Sequence, residues 1–191
     1  MGKILENLHR TLAVGLVLAI IVAVLRHGEY LGSEAYWASI MRWIHVFTGI
    51  LWIGLLYYFN FVQIPTMPTV PAELKPGVSK YIAPKALFFF RWAALLTVLT
   101  GLAVAHVSGY LHEALKLDPT FRFIGIGMYL ALIMAANVWF VIWPNQKKVL
   151  GIVPADDAAK ASAAKIALIA SRTNTMLSLP MLFAMVNFNG G

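Results

Sequence analysis

Five histidines and no cysteine bound the metal chemistry open to this chain of 191 residues. Thiolate sites, disulfides and covalent c-type haem attachment are excluded in the segment; imidazole ligation is not. Two histidines stand out by position. His45 follows Arg42-Trp43-Ile44 at the head of one apolar run, 44–64, and His106 lies at the foot of the next, 87–107. Consecutive spanning helices run antiparallel, so both lie toward the same face. Reflecting position 45 about the middle of the intervening loop, near 75.5, gives 106, which predicts imidazoles at nearly equal depth. Gly49 lies one turn below His45 and Gly101 a little over one turn from His106, leaving room for a flat macrocycle. Facing histidines in a helical bundle can hold a b-type haem without cysteine. Arg42 and Arg122 share that side and can pair with haem propionates. Two other readings fit the same residues: a copper site built from the histidines and methionines of that face, and plain interfacial anchoring with no chemistry.

A second set gathers at the opposite ends of the same runs. Asn60 and Gln63 close the second run, Arg91 lies in the first turns of the third, and Asn137, Asn145 and Gln146 end the fourth. Ser171, Arg172, Thr173 and Asn174 fall just inside the fifth. An arginine within a membrane is costly and normally faces the bundle interior or a wet pocket. Asn60, Arg91, Asn137, Arg172 and Asn174 therefore form a candidate site for an anionic or carbonyl-bearing ligand, such as a quinone head group or a purine. Interhelical hydrogen bonding is the competing role. Trp139 and Trp143, close by, are expected as interface-belt aromatics rather than stacking platforms.

The elements that position these residues follow from composition. Apolar residues make up 60% of the chain and charged residues 12%, against roughly half and a quarter in a soluble domain. Spanning takes about 20 apolar residues. The runs 44–64, 87–107, 123–143 and 165–188 meet this, and 8–25 can reach across if Arg10 and Arg26 snorkel. The first run, with Lys3 and Arg10 before it, also resembles a signal peptide; without a small-x-small cleavage site ahead of Arg26 it is read as an uncleaved anchor. The expectation is an all-α integral membrane bundle of about five helices in one domain, 1–191. Nine loop lysines and arginines fall on one side and four on the other, which predicts the N-terminus inside and the C-terminus outside. The net charge of +7 then belongs to cytoplasmic loops, and no nucleic-acid partner is implied.

Several blocks resemble the membrane domain of the bacterial urate hydroxylase (urate oxidase N-terminal) family. They are Arg42-Trp43-Ile44-His45-Val46 with Gly49-Ile50-Leu51-Trp52-Ile53-Gly54, and Phe90-Arg91-Trp92. Asn137-Val138-Trp139-Phe140-Val141-Ile142-Trp143-Pro144-Asn145-Gln146-Lys147-Lys148 and Ser171-Arg172-Thr173-Asn174-Thr175 with Pro180-Met181-Leu182-Phe183 complete the match. The His45 segment is also distantly similar to the haem-binding membrane protoporphyrinogen oxidases. The family resemblance implies a multi-pass bacterial inner-membrane protein whose relatives carry a c-type cytochrome domain after the membrane part and oxidise urate. This chain is shorter, with no Cys-x-x-Cys-His segment.

Residues and resemblance together lead to a haem b-binding electron-transfer protein or subunit, with His45 and His106 as axial ligands. It would pass electrons between a quinone or small substrate and a periplasmic cytochrome. A membrane enzyme oxidising urate or a related purine is the second reading. A cofactor-free accessory subunit of a larger membrane complex or homo-oligomer is the third.

Overall fold

The computed structural model describes residues 2–188, apart from the side chain of His27, and among them there is helix and no strand. Among the described residues, five stretches are helical, long and apolar enough to cross a membrane: Leu8–Arg26, Glu34–Thr69, Lys75–Val107, Arg122–Val149 and Asp157–Val186. The chain divides into two compact units, 1–40 and 41–191.

In the first unit, helix α1 (Leu8–His27) starts at Asn7, whose side chain accepts a hydrogen bond from the Arg10 backbone N–H at 3.2 Å. None of its spanning window is buried within the structure, and its apolar residues point in every direction. A helix apolar all round is suited to lipid rather than to one packed face. The next helix, α2 (Glu34–Tyr57), begins ten residues before the apolar run that marks it in the sequence. Ser33 accepts from the Tyr36 N–H at 3.2 Å, and Glu34 places an acidic group in the first turn. These are ordinary helix-start signals, and hydropathy alone passes over them.

The second unit holds the rest of α2, then α3 (Ala83–Val107), the short α4 (Leu111–Leu115), α5 (Arg122–Asn137), α6 (Trp143–Val149) and α7 (Asp157–Val186). Three π-helical segments join into these helices: Tyr58–Gln63 after α2, Val78–Ile82 before α3 and Val138–Ile142 between α5 and α6. Each ends two residues before a proline: Pro65, Pro84 and Pro144. Proline lacks the N–H that would bond to the carbonyl four residues back, and its ring collides with that carbonyl. Widening the helix by one residue relieves the collision, so the helix continues where proline would otherwise stop it. The spanning stretches accordingly run longer than the apolar segments by which the sequence marks them.

Small residues set the spacing of α5 and α7. Ala163, Ala167, Ala170, Asn174, Ser178, Met181 and Ala184 are the buried stripe of α7. A Cβ added at Gly127 of α5 would meet the Ala184 Cβ at 3.0 Å. Close backbone approach of this kind, with polar ties across it, is how helices associate where lipid removes the hydrophobic driving force. The remaining core is larger: Trp52, Leu56, Phe90, Met134 and Val138 are fully buried. Antiparallel order follows from the cross-contacts. Tyr57 meets Ser178 and Asn60 meets Ser171, while Phe59 packs on Phe90 with centroids 5.6 Å apart.

Candidate functional site

The predicted outer end of the second unit contains a cavity of about 1050 Å³. Its walls come from α2 (Arg42, His45, Gly49, Trp52), α3 (Thr97), α5 (Ile124, Ala131) and α7 (Met181, Met185). The volume lies at the top of the range of roughly 300–1000 Å³ that holds drug-sized ligands. A smaller chamber of about 60 Å³ adjoins it and shares His45, Thr97, Tyr110 and Met185. The roof is aromatic. Tyr110 stacks on Phe121 at 5.7 Å and 9°, and Phe188 packs on both. The turn that carries Tyr110 is pinned where the Ala114 carbonyl lies directly on Gly125, a position with no space for a Cβ. Burial pushes the Tyr110 phenol up from its ordinary pKa, and the Arg42 guanidinium pulls it partly back.

His45 is the polar centre of this cavity. Its Nδ1 lies 2.8 Å from the Thr97 carbonyl oxygen. A carbonyl only accepts, so Nδ1 carries the proton and Nε2 keeps a free lone pair. The imidazole lies against Gly101, where a Cβ would meet Cε1 at 2.8 Å and Nδ1 at 3.1 Å. Gly101 therefore makes room for the His45 ring itself, whereas Gly49 lines the large cavity and has its nearest foreign contact at 3.7 Å. Trp52, fully buried in the same wall, leaves its indole Nε1–H without a partner.

His106 does not share the depth of His45. It is exposed at the last turn of α3 and is not among the residues lining either chamber. His45 faces Thr97 and Gly101, so the two imidazoles are offset by at least five residues along α3, about 7.5 Å. The reason lies at the far end of the pair. The helical stretches extend to Thr69 and resume at Lys75, so the true turn is centred near residue 72. Reflecting position 45 about 72 gives 99, midway between the residues it touches. Arg42 lines the cavity, but Arg122 does not: it is exposed, and its Nε reaches back to the Leu117 carbonyl at 3.5 Å.

The predicted inner cluster is brought together only in part. Asn137 donates to the Ala170 carbonyl at 2.9 Å and to Asn174 Oδ1 at 2.8 Å, and the buried Asn174 donates to the Met134 carbonyl at 3.0 Å. Asn60 donates to the Leu56 carbonyl at 2.9 Å and to Ser171 Oγ at 2.8 Å. These amides tie helices to one another. Arg172 points away and is exposed, because it sits between the buried Ser171 and Asn174 on a helix that turns 100° per residue. Arg91 is also placed differently from expectation. Its guanidinium lies 3.6 Å from the Trp143 ring centroid and 5.9 Å from that of Trp139, so these tryptophans are its stacking surface. The buried acceptors left open at this end are Asn60 Oδ1 and Gln63 Oε1, both on the π-helical segment after α2.

The residues that sequence reasoning missed are Thr97, Trp52, Tyr110 and Met185. Thr97 acts through a backbone oxygen, which leaves no mark in residue type. Among the described residues no three His, Asp or Glu side chains come together to hold a metal ion.

The family model described as urate oxidase N-terminal matches residues 118–189, which supports that family and agrees with the resemblance read from the sequence. The matched stretch holds α5, α6 and α7 with Asn137, Asn174 and Met185; Arg42, His45 and Arg91 precede it. No curated protein and no solved structure matches the chain.

Proposed function

We propose that this chain is a multi-pass protein of the bacterial inner membrane that binds a b-type haem through His45 and transfers electrons in urate-oxidase-like chemistry. The observation that carries the reading is the hydrogen bond from His45 Nδ1 to the Thr97 carbonyl. It orients the ring and leaves Nε2 as the free ligand atom, the arrangement by which proteins present histidine to a metal. A porphyrin brings four of its own nitrogens, so a haem needs only one or two protein ligands. That suits a site with one cavity-lining histidine and no cluster of carboxylates. The cavity is large enough for a macrocycle, and Arg42 in its wall can meet a propionate. The trio Tyr110, Phe121 and Phe188 sets three mutually packed rings in its wall. Bound haem would supply one-electron redox chemistry; the chain supplies ligand, orientation and low dielectric. A quinone or small reductant and a periplasmic c-type cytochrome are the proposed electron partners, within a larger complex or homo-oligomer.

The test is a reduced-minus-oxidised spectrum of the protein purified in detergent after expression with haem supply. A b-type spectrum at one haem per chain is expected, and His45→Ala should lose it. A haem-free wild type, or full haem in His45→Ala, removes the reading and leaves an accessory subunit. A second reading, oxidation of urate or a related purine by this same chain, is favoured by the family match. Asn60 Oδ1 and Gln63 Oε1 are acceptors that purine N–H groups can satisfy. Reduction of the bound haem by added urate, under anaerobic conditions, separates it from pure electron transfer.

A further inference from the structure

His45 is one ligand, and a counterpart across the iron would come from the other wall. We propose that Met185 of α7 is the second axial ligand, so that the haem is held by one imidazole and one thioether. This rests on the haem reading above. The smaller chamber, of about 60 Å³, is lined by both His45 from α2 and Met185 from α7. Both residues also line the adjoining cavity of about 1050 Å³, so a macrocycle in that space would have both side chains in its walls. Depth agrees as well. His45 faces Gly101, and the Met185 methyl lies 3.5 Å from where a Cβ would stand on Gly127. Gly101 is about a turn and a half from the end of α3, and Gly127 about the same distance from the start of α5.

The other candidates meet fewer of these conditions. Met128 lines only the small chamber and Met181 only the large one. His106 lines neither. Tyr110 lines both, but its ring is stacked face to face on Phe121 in the roof. A neutral thioether opposite imidazole stabilises ferrous over ferric iron and raises the potential relative to a second histidine. The site would then accept electrons from a moderate reductant such as a quinol and hand them only to a high-potential acceptor.

The experiment uses the full chain loaded with haem and compares wild type, Met185→Leu, Met185→His, Tyr110→Phe and His45→Ala. Wild type should be low-spin, with the far-red sulfur-to-iron charge-transfer band of the ferric state. Met185→Leu should keep stoichiometric haem, lose that band and become high-spin. Met185→His should restore a low-spin spectrum with a lowered midpoint potential, which a merely packing role for Met185 would not produce. An unchanged ferric spectrum in Met185→Leu overturns the ligand assignment while leaving His45 and the haem reading intact. A phenolate-to-iron charge-transfer band in wild type that Tyr110→Phe removes and Met185→Leu does not would move the ligand to Tyr110. Absence of haem from wild type, or its retention by His45→Ala, removes the haem reading and the assignment with it.

Discussion

The working unit at the scale of residues is an imidazole, a carbonyl and a missing side chain. Thr97 orients His45 through its carbonyl, and Gly101 vacates the volume the ring occupies. The two glycines flagged in the sequence therefore have different functions, and substitution should distinguish them. Gly101→Ala places a methyl 2.8 Å from Cε1 of the ring, and the contact is with a half-buried side chain tethered at Nδ1. Overpacking of this kind costs about 1–3 kcal/mol, and the easiest escape is to break the bond to Thr97. Gly101→Ala should thus lower thermal stability and haem occupancy together. Gly49→Ala, with its nearest foreign atom at 3.7 Å, should leave stability nearly unchanged. Unfolding curves and haem titrations of both variants in the same detergent test the contrast; equal effects would mean that the ring is not held by Gly101.

Among elements, the amides decide how α5 and α7 are clamped, and the prolines decide where the helices widen. The Asn137–Asn174 bond lies where α5 passes into the π-helical segment Val138–Ile142, and Asn174 also reaches the Met134 carbonyl across the same interface. Polar ties between membrane helices are worth on average about 0.6 kcal/mol and at most about 1.7 in coupling. A double-mutant cycle of Asn137→Leu and Asn174→Leu, read by unfolding in mixed micelles, should fall in that interval. Coupling near zero would show that the two amides act independently. Arg91 belongs to this end by stacking on Trp143, while the exposed Arg172 faces outward. A site for an anionic ligand built on both arginines, as their positions in the sequence first indicate, is not formed within this fold.

At the largest scale, the second unit, 41–191, has two ends with different features: a large, mostly apolar cavity with one oriented histidine at one, and an amide and cation–π clamp at the other. Loop charge predicts which end is which. The side holding Lys75, Lys80, Lys85, Lys147 and Lys148 should be cytoplasmic, leaving the cavity toward the periplasm. The chain has no cysteine, so single labels are clean. Gly77→Cys and Lys116→Cys, both at exposed positions, should react with an impermeant maleimide from opposite sides, Lys116→Cys from outside intact spheroplasts. Labelling of both from one side would refute the topology. The C-terminal Gly191, expected outside, lies beyond the described residues.

Much of this was legible before any coordinates. Apolar run length identifies, among the described residues, five helices long and apolar enough to span, because lipid tolerates no unpaired backbone and that constraint is written in composition. His45, Arg42, Gly49 and Gly101, picked out by type and spacing, lie in the walls of two adjoining cavities, and the blocks around Asn137 and Asn174 pointed to the family that the match over 118–189 supports. Register was not legible. Hydropathy marks where a helix is apolar, not where its backbone begins, and so it missed the Ser33 start and the helical extensions toward Thr69 and from Lys75. Those extensions moved the turn centre by a few residues, enough to set His106 apart from His45 and to bring Thr97 to its place. Azimuth was equally hidden: a single step of 100° decides that Asn174 faces the core and Arg172 does not. Composition determines what must be buried in lipid, but only the packed helices determine which atoms meet there.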